Sequence, residues 1–90
     1  MIISRNLTAG LAELTESFSP YIVKELTFEN RDAVDTITIA INDTTTVATD
    51  EPITLLPGDK KTYKNTGNVK SIAYVADGAA AQLLVSGETA

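Results

Sequence analysis

Between Asp35 and Asn42 the chain alternates without a break, with Ile37, Ile39 and Ile41 at every second position and Thr36, Thr38 and Ala40 between them. A period of two gathers the isoleucines on one face of an extended strand, which no helix would do. The isoleucine face is therefore a core face, and the opposite face is small and half-polar. The same period runs through most of the chain, where 13 Thr, 8 Ile and 6 Val supply residues that suit a pleated surface. The chain reads as all-β.

Upstream, Tyr21 to Asn30 alternates in the same way. Its pattern predicts Ile22, Lys24, Leu26 and Phe28 on one face and Val23, Glu25, Thr27 and Glu29 on the other, with Asn30-Arg31-Asp32-Ala33 as the polar connection. Downstream, Pro52-Ile53-Thr54-Leu55-Leu56 runs into Pro57-Gly58-Asp59, which sets Pro and Gly at the central positions of a type II turn, and a strand returns through Lys60 to Lys64. Val69 to Val75 and Ala81 to Ser86 form a last strand pair, expected as a hairpin across Asp77-Gly78 with Ile72, Tyr74, Leu83 and Val85 buried. The threonine tract from Thr44 to Thr49 is a weaker strand, placed at an edge.

The first 20 residues are open to several readings. Leu7, Leu11 and Leu14 fall at helical spacing, yet Gly10 and Pro20 interrupt a long helix. Residues 1–20 are thus an N-terminal arm, a short helix or the first strand, and residues 21–90 a single domain. The expected architecture is a small antiparallel β-sandwich or jelly-roll-like barrel of about six to eight strands.

With 90 residues, roughly 60–65% of the chain's surface can be buried, enough for one two-layer core but not for a deep, walled cleft besides. Cysteine and histidine are both absent, which removes disulfides, thiol nucleophiles, imidazole bases and the usual zinc and copper ligands. Ser4, Ser17, Ser19, Ser71 and Ser86 have no histidine to activate them. Glu25 and Glu29 share a strand face but stand roughly 13 Å apart at about 3.3 Å per residue, too far for a glycosidase pair. Calcium is the one metal the composition allows, at Asn42, Asp43, Asp50 and Glu51, but the ligand spacing of a dedicated loop is missing. No catalytic, cofactor or metal residue is assigned, and the expectation is a protein that is not an enzyme.

Seven basic against 12 acidic residues give a net charge of −5, which disfavours nucleic acid as a partner. No apolar segment approaches the roughly 20 residues of a spanning helix or follows a basic region as in a signal peptide, so neither membrane nor secretion is expected. Asn6-Leu7-Thr8 and Asn42-Asp43-Thr44 match the glycosylation sequon and are read instead as turn and strand-end residues. The charge is polarised along the chain: residues 1–59 hold 3 basic and 10 acidic groups, while residues 60–90 hold Lys60, Lys61, Lys64 and Lys70 against Asp77 and Glu88. Complementary patches of this kind let copies meet head to tail or around a ring.

The segments Glu25-Leu26-Thr27-Phe28-Glu29-Asn30, Ile37-Thr38-Ile39, Ile53-Thr54-Leu55-Leu56-Pro57-Gly58 and the alanine-rich stretch Val69 to Gly87 resemble small virion proteins of tailed bacteriophages. The resemblance spans about residues 21–87 in strand cadence and carries no functional residue across. It implies a compact β-sandwich acting as a capsid decoration (cement) protein or a neck or tail accessory. It further implies a homo-oligomer, a trimer above all, that contacts the major capsid protein or a neighbouring virion protein and is assembled in the host cytoplasm. On that reading the candidate assembly contacts are Ile2, Ile3, Leu7 and Leu11 of the N-terminal segment, with Lys60, Lys61 and Lys64 of the basic strand. The alternative is a protein-binding or adhesion sandwich from a tail fibre or cell-surface protein.

Overall fold

The computed structural model describes residues 2–41 and 53–89, the side chains of 64–68 excepted. The alternating segments become eight strands: β1 (Ile2–Ala9), β2 (Leu14–Ser17), β3 (Val23–Asn30), β4 (Ile37–Ile41), β5 (Ile53–Leu55), β6 (Lys60–Val69), β7 (Ser71–Ala76) and β8 (Ala81–Thr89). They form two four-stranded antiparallel sheets, ordered β1-β8-β3-β6 and β2-β7-β4-β5. The ladders β1–β8, β2–β7, β3–β6 and β4–β5 trace one long hairpin whose arms are wound together, and β3–β8 and β4–β7 close each sheet. This is a jelly roll.

Period two puts one face of most strands inside, the short edge strand β2 having no buried residue. Ile3 and Ala9 of β1, Leu26 and Phe28 of β3, Ile37 and Ile39 of β4, Leu55 of β5, Ile72 and Tyr74 of β7 and Leu83 and Val85 of β8 make a single core. Phe28 meets the half-buried Tyr63 of β6 at a ring distance of 6.0 Å. Cations from the first sheet span both open sides of the sandwich. Arg5 of β1 reaches Glu16 of β2 at 3.8 Å, and the Lys61 ammonium donates to the Thr54 carbonyl at 2.8 Å.

Several sequence expectations are corrected. No helix forms among the described residues. Leu7 and Leu14 sit in two different strands, and Phe18, also from the first 20 residues, is buried in the common core. The face assignment at Ile22 and Val23 is reversed: Val23 is buried, while Ile22 and Lys24 are exposed. The cause is a register shift between Val23 and Glu25, where β3 holds one extra residue against β8 and the phase is reset so that Val23 and Leu26 both point inward.

The final hairpin is also absent, because β7 and β8 belong to different sheets and residues 77–80 cross between them. Strand Val69–Val75 is in fact two, since the chain changes sheets at Lys70. The Pro57-Gly58 turn does form, with the Asp59 amide donating to the Leu56 carbonyl at 2.9 Å and Gly58 at φ 83°, but it too joins the two sheets. The threonine tract and the oxygen cluster at 42–51 lie outside the described residues.

Candidate assembly interface

Four connections, residues 10–13, 77–80, 31–36 and 56–59, lie side by side at one end of the sandwich because alternate sheet crossings all return there. Backbone bonds stitch them into a row: Ala76 N–H to Gly10 O at 2.7 Å, Asp77 N–H to Thr36 O at 3.1 Å, and Asn30 N–H to Asp59 O at 2.9 Å. Asn30, fully buried at the end of β3, joins the middle of the row. Its Nδ2 donates to the carbonyls of Asp35 (2.8 Å) and Leu55 (3.0 Å), and its Oδ1 accepts from Asp32 N–H at 2.9 Å.

Carboxylates finish the frame. Asp32 accepts from the amides of Val34 and Asp35, Asp77 from Thr36 and Asp59 from Leu56. The two N–H donors, Asp35's first, hold the Asp32 carboxyl below its ordinary range. The Asp35 carboxyl is raised instead, by lost hydration and by the nearby charges of Asp32 and Asp77. It lies close over Gly78, where an added Cβ would oblige the Asp35 side chain to shift.

This frame holds three large aliphatic side chains out in water: Leu11 at 71% exposure, Val34 at 79% and Leu56 at 56%. Each comes from a different loop of the same row. Exposed aliphatic side chains brought to one end of a fold are candidates for a contact surface, and these share their loops with Asp32, Asp35, Asp59 and Asp77. Val34 and Leu56 were not among the sequence candidates. The signal for Leu56 was present, since it follows Leu55 directly and two adjacent leucines in one strand cannot both face the core.

The sequence candidates separate. Leu11 joins the loop row. Ile2, 78% exposed, stands on the outer face of β1 at the far end of the molecule, over a depression of about 180 Å³ shared with Glu25 and Ser86. Ile3 is taken into the core, and Leu7 packs half-buried against it. Lys60 is exposed and stands in register with Glu29, Lys61 is occupied at Thr54, and Lys64 stands in register with Glu25, its side chain outside the described residues. The charge polarity along the chain thus meets in neighbouring strands, where Lys60 and Lys64 of β6 stand in register with Glu29 and Glu25 of β3.

At the opposite end a cleft of about 430 Å³ opens between the β2–β3 loop and Lys70, lined by Ser17, Ser19, Pro20 and Tyr21. Among the described residues no three Asp, Glu, His or Cys side chains gather as a metal-binding group. A scan against protein-family models gives no match, and no curated protein matches the chain in sequence.

Proposed function

We propose that the chain is a non-enzymatic structural protein of a phage-like virion, most concretely a capsid decoration protein docked on a capsid protein or a neighbouring virion protein. The observation that carries the reading is the row of Leu11, Val34 and Leu56, three exposed aliphatic side chains on adjacent, mutually bonded loops. Such a surface gains by being covered, and many weak copies of one contact add up on a repeating shell. The surrounding aspartates call for a basic rim on the partner. The chain would be made in the host cytoplasm and join the particle there.

Mass spectrometry of purified particles from the producing host tests the reading. The chain is expected in constant ratio to the shell protein, and Val34→Asp with Leu56→Asp is expected to leave it folded in the lysate and missing from the particles. Particles lacking the native chain would sink the proposal. The adhesion reading would then take its place, because the same loop row would serve a soluble protein partner.

A further inference from the structure

Each sheet ends in two edge strands, and three of the four are poor templates for another strand. β2 has four residues and β5 three, while β6 carries exposed Lys60 and Lys61 at its start. β1 is different. It runs eight residues in unbroken register with β8, contains neither Pro nor Lys, and turns its one charge, Arg5, toward Glu16. Among the described residues, β8 alone supplies backbone bonds to it. Every second residue of an edge strand aims its N–H and C=O away from the sheet, so β1 presents a regular row of unpaired backbone groups.

We propose that β1 pairs antiparallel with β1 of a second copy of this chain, joining the two four-stranded sheets into one of eight strands. The strand is complementary to itself. The pleat demands that opposed residues share a face, which restricts the two-fold axis to pass through a residue rather than between two. An axis at Arg5 would oppose two like charges. An axis at Asn6 pairs residues 3–9 and sets Arg5 opposite Leu7 and Ile3 opposite Ala9 on the inner side.

On the outer side it sets Ser4 opposite Thr8 and Asn6 opposite itself. Asn offers both a donor and an acceptor and can bond its own copy, and paired hydroxyls already stabilise this face at Thr27 and Thr62, 3.0 Å apart. The added strand would also cover the open side of the sandwich beside Leu14, which is 45% exposed. The pairing stands on the strand edge alone and goes beyond the virion reading; it is two-fold, where the phage resemblance implies three.

Light scattering over a concentration series should show the mass rising from 9.6 kDa toward twice that value. Asn6→Lys, on the exposed outer face, should keep the fold by circular dichroism and weaken the dimer at least about tenfold through opposed charges. The chain has no cysteine, so Asn6→Cys supplies one thiol that faces itself. Oxidation should link it roughly tenfold faster than Thr8→Cys, whose copies would lie about 13 Å apart, beyond the reach of a disulfide.

A native chain that stays monomeric or forms a trimer overturns the pairing, as does a dimer indifferent to Asn6→Lys or cross-linked equally well from position 8. None of these outcomes touches the particle test, which reads the loop row at one end of the molecule.

Discussion

Asn30 is a polar side chain in an apolar place, tolerated because each of its polar groups is used. Asn30→Ala strands the Leu55 and Asp35 carbonyls and should cost about 3 kcal/mol in urea unfolding; a loss below about 0.5 kcal/mol would show the loops holding together without it. Asp35 predicts a pH effect. Its raised carboxyl means that ionisation opposes folding, so the native protein gains from protonating Asp35 as the pH falls through that raised value. Asp35→Asn should therefore melt higher at neutral pH, and the gap should close on acidification; a constant gap would remove Asp35 from the account. Asp32 works in the opposite sense. Its lowered carboxyl contributes stability above the ordinary value of 3.8, which is lost when further acidification protonates it.

At the level of single strands the physics that makes a sequence readable also limits it. Period two exposed β4 at once, and Ile37 and Ile39 are fully buried as their spacing requires. Ile39→Ala should cost about 2–5 kcal/mol, and a loss under about 0.5 kcal/mol would contradict that face. The phase of β3 was not readable, because the register shift beside Lys24 depends on what lies opposite. Gly87 lies opposite Leu26, and a Cβ there would stand 2.7 Å from both the Glu25 carbonyl oxygen and a Val23 methyl. Bulge and glycine make one feature: Gly87→Ala should cost about 1–3 kcal/mol by overpacking, while Ser86→Ala beside it should cost almost nothing. Alternation reports which face is wet, never which strand is the neighbour. The crossings at Lys70 and at residues 77–80 therefore leave no mark on the pattern, and a cross-sheet link has the same alternation as a hairpin. In the candidate interface, Leu11 was legible only as one of the apolar residues of the N-terminal segment, whereas Val34 gained meaning only when four distant loops were aligned.

The whole molecule is governed by its wound hairpin. Among the described residues, all six ladders join one of β1–β4 to one of β5–β8, and no two strands of the same half pair with each other. Chains severed within residues 42–52 should give two fragments that are each unstructured by circular dichroism and regain β signal when mixed; either fragment folding alone would contradict the topology. During synthesis the same arrangement leaves the nascent amino-terminal half with no native ladder to form until the second half begins to leave the ribosome. β8, which carries the β1 ladder to Glu88 and the β3 ladder to Thr89, is the last of the described strands to emerge. For that interval the strand best suited to bind another copy has neither its own partner nor its sheet, so neighbouring chains on one message could exchange β1 before either molecule is complete.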